Sequence, residues 1–294
     1  MSAVGPSHDR LDQFARKLGH AGTIACWSAS VILDRRPVGQ LSTSPNTVPR
    51  SPLRITLTVN GRPVTAAAAG PPEQARLDQL LPALRALDDA VIAQAVRQHE
   101  TLERRVACTK GCSACCEAQP VPVTPPEAYA LARLVARLPQ PRQDKVRAAF
   151  AVAVQRLREA RLFDVYMRNR HKLSRDAARE VTIRYFGLKI SCPFLVDHAC
   201  SIYSERPFVC RQYLVTTAPA LCVDPLNEPV APVPMPVRFA SAMLATAEVT
   251  LGTPQYTVPL VLSLAYVEEK KSELERTFPA KALIETALQI LPKA

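Results

Sequence analysis

Cys108-Thr-Lys-Gly-Cys112-Ser-Ala-Cys115-Cys116 places four thiols within nine residues. A second set follows downstream: Cys192-Pro-Phe-Leu-Val-Asp-His-Ala-Cys200, then Cys210 in Arg206-Pro-Phe-Val-Cys210-Arg211. Thiolates are soft ligands that suit zinc, copper(I) and iron–sulfur clusters. The gaps between Cys108, Cys112 and Cys115 let a short loop turn back on one point. Gly111 stands where a left-handed backbone costs least. Cys115 and Cys116 are adjacent, so in extended chain their side chains point apart. They can serve two different metals, or one can ligate while the other supports it. The two sets read as halves of one metal-binding centre, and the rest of the chain as the scaffold that joins them.

Two other readings fit less well. A disulfide framework needs an oxidising compartment, and neighbouring cysteines pair poorly with each other. Buried, inert cysteine suits Cys26, alone in the apolar Thr23-Ile-Ala-Cys26-Trp27, but not four thiols in nine residues. Seven clustered cysteines, or eight with Cys222, exceed the need of one zinc. Eight could hold two four-coordinate sites, or a cluster with supporting thiols. The spacing follows neither ferredoxin pattern. Lys110, Arg206 and Arg211 lie among the thiols and can offset their charge. His198, in the turn between Cys192 and Cys200, is a candidate ligand in competition with seven thiols and reads more simply as an exposed turn residue.

Cys108-x3-Cys112-x2-Cys115-Cys116, the Thr-x-x-Glu helix start after it, Cys192-Pro-Phe-Leu, Cys200-Ser-Ile-Tyr203 and Arg206-Pro-x-x-Cys210-Arg211-x-Tyr213 together resemble the YkgJ-type cysteine-cluster family, described as a zinc- or iron-chelating domain. The resemblance covers roughly residues 100–215. It implies Cys108, Cys112, Cys115, Cys116, Cys192, Cys200 and Cys210 as metal ligands, with Cys222 beyond the pattern. Before Cys200 this chain has Asp197-His198-Ala199 where the family often carries glycine. The family implies no particular reaction. A related cysteine cluster in flagellin lysine methylases is a distant enzymatic precedent.

At 294 residues, 48% of them hydrophobic, the chain can bury a real core. Only 5% are aromatic, 27 are proline and 9 glycine. Alanine, leucine and arginine favour short helices joined by stiff connections. The expected class is mainly α: a helical scaffold with irregular cysteine-rich loops and one or two small β-hairpins. The formal charge is +11. No stacking aromatics interleave with the arginines as single-strand binding wants, so nucleic acid is a weaker expectation than an unidentified protein partner. No export signal and no run of ~20 apolar residues is read, so the expectation is cytoplasm without a membrane span.

Along the chain, residues 1–53 read as an extension, disordered around the Pro-rich Ser42–Pro52, with an isolated apolar run at 22–33. Asn60-Gly61 between alternating residues marks a hairpin, with Ile55, Leu57 and Val59 on one side. Helices are expected from about Pro82 to Arg105 (Leu84, Leu87, Val91, Ala95 and Leu102 on one stripe), from Pro125 to Leu138 behind a Thr124–Glu127 capping box, from Arg142 to Leu162, and from Ser174 to Phe186, closed by Gly187. The third and fourth span an arginine-dense region, Arg156 to Arg184, the best candidate for a basic partner surface; the plainer alternative is a solvated helix face with pairs such as Asp176–Arg179 and Glu180–Arg184. Ile190–Tyr203 reads as a tight hairpin, with Tyr203 and Tyr213 packed over the cluster. Arg206 and Arg211 read as locking the second cysteine loop. Residues 54–215 thus read as the metal-binding domain. Residues 216–294 read as a proline-rich connection, an apolar segment at Arg238–Leu251 of undecided type, and helices at Val258–Arg276 and Ala280–Leu291 packing on the same domain.

The functional expectation is an intracellular metal-binding protein holding zinc or iron, an iron–sulfur cluster included. The alternatives are a redox or protein-modifying enzyme and a basic interaction module. No phosphate-binding glycine loop, His-Glu-x-x-His or Gly-x-Ser-x-Gly occurs, so no catalytic residue is assigned.

Overall fold

The Asn60-Gly61 turn takes φ of +50° and +73°, the doubly left-handed pair of a two-residue hairpin. It joins β1 (Pro52–Val59) to β2 (Arg62–Ala69), antiparallel, with Leu57 opposite Val64 and Ile55 opposite Ala66. The computed structural model describes residues 52–101 and 104–291. Most of the expected N-terminal extension, with Cys26, and Leu102 of the expected helical stripe lie outside the described residues. Ile55, Leu57 and Val59 are buried and share a core with Leu84, Leu87 and Val91 of α1 (Leu81–His99). Proline stands in the first turn of α1, as expected.

The expected extension of α1 to Arg105 is not observed. Glu100 leaves the helix with ψ of 137°. Local bonding replaces the next turn: the Thr101 and Arg104 backbones bond each other, and Val106 N–H donates to Glu100 Oε1 at 3.0 Å. Thr101 and Glu100 are side chains that compete for backbone groups in this way. The chain therefore enters the first cysteine loop from non-helical backbone.

The arginine-rich middle is helical: α2 (Pro125–Ala136), α3 (Gln140–Glu159), a π-helical turn at Val165–Asn169, and α4 (Arg175–Leu188). The Thr124–Glu127 capping box forms. Gly187 does not close α4; it lies inside the helix, and Lys189 takes the left-handed position at φ +48°. Arg156 supplies the reason, donating to the carbonyls of Leu188 and Lys189 and so capping the helix from a neighbour. After the short α5 (Phe208–Gln212) comes α6 (Phe239–Leu251), which settles the apolar segment as a helix ended by Gly252 at φ +71°. Then follow α7 (Ser263–Leu274) and α8 (Ala280–Ile290).

Among the described residues the architecture is mainly α with small antiparallel strand pairs. α6 and α8 complete the hairpin core, while α7 packs with α2 and α3 around Phe150, Phe194 and Ile202. Two-residue pairs stitch the C-terminal segment back to earlier chain: β3 (Gln74–Ala75) with β8 (Phe278–Pro279), and β4 (Pro122–Val123) with β7 (Val258–Pro259). No described helix is long and apolar enough to cross a membrane.

Candidate metal centre

The first cysteine loop carries one 3-10 turn, Ala114–Cys116, behind Gly111 at φ +99°. The second is the hairpin of β5 (Leu195–Val196) and β6 (Ala199–Cys200), turned by Asp197 and His198 at φ +47° and +58°. Asparagine, aspartate and histidine tolerate that conformation better than most residues, which is how this turn forms without glycine. Cys210 rides on α5, and Cys222 on a 3-10 turn at Pro219–Val223.

Backbone bonds tie these pieces together. Cys192 N–H donates to Cys116 O at 2.7 Å, and Ala107 N–H to Val215 O at 2.8 Å. Gln119 Nε2 donates to Cys222 O at 2.8 Å. Val215 N–H donates to Cys108 Sγ at 3.3 Å. Backbone N–H groups of Phe194 and Leu195 near Cys192 sulfur, and that of Ile202 near Cys200 sulfur, lower those thiols, and Leu195 N–H donates to Cys192 O at 2.9 Å. The two sequence-distant sets thus meet. All eight described cysteines are free thiols, and only Cys222 is fully buried.

Mutual electrostatic interactions group seven of the eight thiols, and Cys115 faces both groups. Every pair among Cys116, Cys192, Cys200 and Cys210 interacts so that one thiolate disfavours the other. Cys108, Cys112 and Cys222 form a second mutually interacting set, and Cys115 faces both sets, through Cys116 and Cys210 on one side and Cys112 on the other. Cys115 also packs with Cys108 and Tyr213 around Val215, Cys222 and Val230. The groups touch at the adjacent pair, where Cys115 donates its S–H to Cys116 sulfur. That bond raises Cys115 and lowers Cys116. Burial pushes Cys192 up to about 12 and Cys222 to about 11, and raises Cys108, Cys200 and Cys210. Buried thiols without a counter-charge resist ionising. Among the described residues, no three His, Cys, Asp or Glu side chains already stand in the arrangement of a finished metal site.

Cations lie unevenly around the thiols. Arg206 faces both groups, lowering Cys108 as well as Cys116 and Cys200. Its guanidinium lies 3.7 Å from the Tyr203 ring centroid, and its Nε donates to Tyr203 O at 3.1 Å. Tyr203 is therefore covered by arginine, whereas Tyr213 packs against the Cys222 group. Arg211 is buried and donates to Arg206 O at 3.0 Å, to Asp89 Oδ1 at 2.5 Å and to Ser204 O, locking the loop as expected. Lys110 and His198 stand exposed.

Glu127 does more than cap. Its Oε2 accepts from Thr124, and its Oε1 accepts the Phe208 N–H at 2.7 Å, fastening α5 and its Cys210 to the start of α2. Nothing in the sequence announces that second bond, which spans 81 positions. Cys222 lies outside the expected ligand set, and the fold brings it beside Cys108 and Cys115.

Residues 107–225 match the family model described as "CxxCxxCC: Putative zinc- or iron-chelating domain". This is the cysteine-cluster family that the motif spacing resembles, and the matched span reaches past residue 215 to take in Cys222. No curated protein and no solved structure matches the chain.

Proposed function

We propose that this protein binds two metal ions, each in a four-thiolate site: Cys108, Cys112, Cys115 and Cys222 in one, Cys116, Cys192, Cys200 and Cys210 in the other. The observation that supports the reading is packing: Cys108 and Cys115 lie against the Val215, Cys222 and Val230 cluster, whereas Cys192 and Cys200 lie against the separate cluster of Phe150, Phe194 and Ile202. The donors fit: four soft thiolates are the ligand set of a structural zinc or of iron. The N–H groups near Cys108, Cys192 and Cys200 favour the thiolate form, and Arg206 offsets charge between the sites.

A bound ion would supply the positive charge that these buried thiols lack. It would also cross-link the first cysteine loop to the 213–222 segment at one site and to the Cys192–Cys210 segment at the other. Four thiolates leave no open coordination position, so the role is chelating or structural rather than catalytic. Since the thiols are gathered but not yet in final arrangement, metal entry couples to local folding. The metal-binding unit then extends beyond residue 215. A reducing compartment suits these thiols, and a cytoplasmic location is part of this reading.

The test is metal content and absorption spectrum of protein purified without oxygen, for the parent and for Cys222→Ser and Cys192→Ser. Each variant is expected to lose one ion of the two and keep the other. Cys222→Ser with undiminished metal removes the two-site reading. Brown protein with acid-labile sulfide replaces mononuclear sites by iron–sulfur clusters and reopens redox chemistry.

A further inference from the structure

Residues 156–189 hold ten Arg and Lys against four Asp and Glu, a surplus of six out of +11 for the whole chain. The fold gathers part of that surplus around one cleft of about 550 Å³, lined by Arg158, Arg161, Phe163, Asp164 and Arg168. Two departures from regular helix shape it. Arg161, just past α3, takes φ of +56°, uncommon for a residue with a side chain. Arg168 lies on the π-helical turn Val165–Asn169, a rare element frequently found at functional sites.

The three arginines are not equivalent. Arg168 is held by Asp164 and by Glu269 at 2.8 Å, so its charge is answered within the chain. The Arg158 guanidinium lies 4.6 Å over the Phe163 ring, and the residue is exposed. Neither Arg158 nor Arg161 has a carboxylate partner among the described residues, and both are exposed. The cleft therefore offers two forked donors beside one carboxylate acceptor.

We propose that this cleft docks an acidic segment of a partner protein, its carboxylates on Arg158 and Arg161. Charge complementarity names the occupant, because guanidinium forks match carboxylates in paired bonds. A nucleic acid fits worse. Asp164 and Glu269 would face a continuous phosphate backbone, and Phe163, buried under Arg158, offers no face for a base. The proposal is independent of the thiol sites.

The experiment is fluorescence anisotropy of a labelled oligoglutamate peptide with the full-length, metal-loaded protein, against a Gly/Ser peptide, duplex DNA and inorganic phosphate. Arg158→Gln and Arg161→Gln are expected to weaken oligoglutamate binding about tenfold each, the scale of one lost charge-assisted hydrogen-bond pair. Arg97→Gln, an exposed arginine on α1, is expected to leave binding unchanged, and metal content is expected to stay constant in all three. Equal loss in all three variants, or none, overturns the site. Tighter binding of duplex DNA, lost in the same variants, overturns the choice of partner. Inorganic phosphate that displaces the peptide at low concentration reduces the cleft to a small-anion site and overturns the docking proposal.

Discussion

Replacing Glu127 tests how the scaffold holds the second cysteine set. The carboxylate is fully buried and accepts three hydrogen bonds: from Thr124 N–H at 2.9 Å, from the Thr124 hydroxyl at 2.8 Å and from Phe208 N–H at 2.7 Å. In Glu127→Ala the hydroxyl can rotate elsewhere, but two buried amides lose their acceptor at about 1–3 kcal/mol each. Burial raises the Glu127 pKa, so removing the carboxyl also relieves a desolvation cost. The net expectation is about 3 kcal/mol of lost stability. Glu127→Gln keeps one oxygen and turns an N–H₂ toward the other donor, for a loss of about 1–2 kcal/mol. Urea unfolding of both variants gives the two numbers, and metal content gives the functional link. Loss is expected first from the Cys116, Cys192, Cys200 and Cys210 set, because Phe208 begins the helix that carries Cys210. An alanine cost below about 1 kcal/mol, or a glutamine as costly as alanine, would refute the reasoning.

Three further outcomes follow from the same scaffold. Burial holds the Asp88 carboxyl well above its usual 3.8, against Arg211 and Gln212, which lower it, and with Asp89 and Glu127 also facing it. The folded state thus binds more protons than the unfolded one across that window, so this group's contribution is full at acid pH and is lost as pH rises through the folded pKa. Asp88→Asn is expected to remove that downward slope in a stability–pH profile; an unchanged slope assigns it elsewhere. Arg211→Lys can keep only one of the three bonds that the guanidinium fork makes, for a loss of about 2–3 kcal/mol in urea unfolding; a change under about 0.5 kcal/mol contradicts the lock. Gly111→Ala meets no atom within 4 Å, so its cost is backbone alone at φ +99°, about 1–2 kcal/mol, with metal content unchanged from the parent protein; metal loss in that variant would show that the loop needs more than the turn.

What could be read in advance followed from local chemistry. Asn60-Gly61 and Thr124–Glu127 each carry their structure within a few residues, and both formed. The cysteine spacing led to the expectation that two sets would meet, and the Cys192 N–H to Cys116 carbonyl bond joins them. The misses are places where a distant group took over a local role. Arg156 caps α4 in place of Gly187, and Glu100 with Thr101 ends α1 before Arg105. The proposed division of the thiols could not be read because it rests on how Cys115 and Cys116 are placed, and the Cys192 N–H bonding the Cys116 carbonyl is a contact across the fold.

That one bond bears on why adjacent cysteines suit this centre better than spaced ones. Cys116 is drawn toward the second loop by the 2.7 Å contact of its carbonyl with Cys192, while Cys115 packs with Tyr213 and Cys108 beside Cys222. On the proposed two-site reading, one peptide unit would belong to both sites. A metal that pulls Cys116 into place would also fix the backbone of Cys115, so some of the ordering cost of the second site would fall on the first ion. Arg206 adds to this coupling, since its single charge faces thiols of both groups. The scaffold beneath is polar rather than merely apolar: Arg85 to Glu205, Arg211 to Asp89, Gln212 to Asp88 and Glu127 to Phe208 all anchor the 203–212 segment to α1 and α2. Directional bonds of this kind hold the loop in one register, which a four-thiolate site needs and which an aliphatic contact surface alone would not specify.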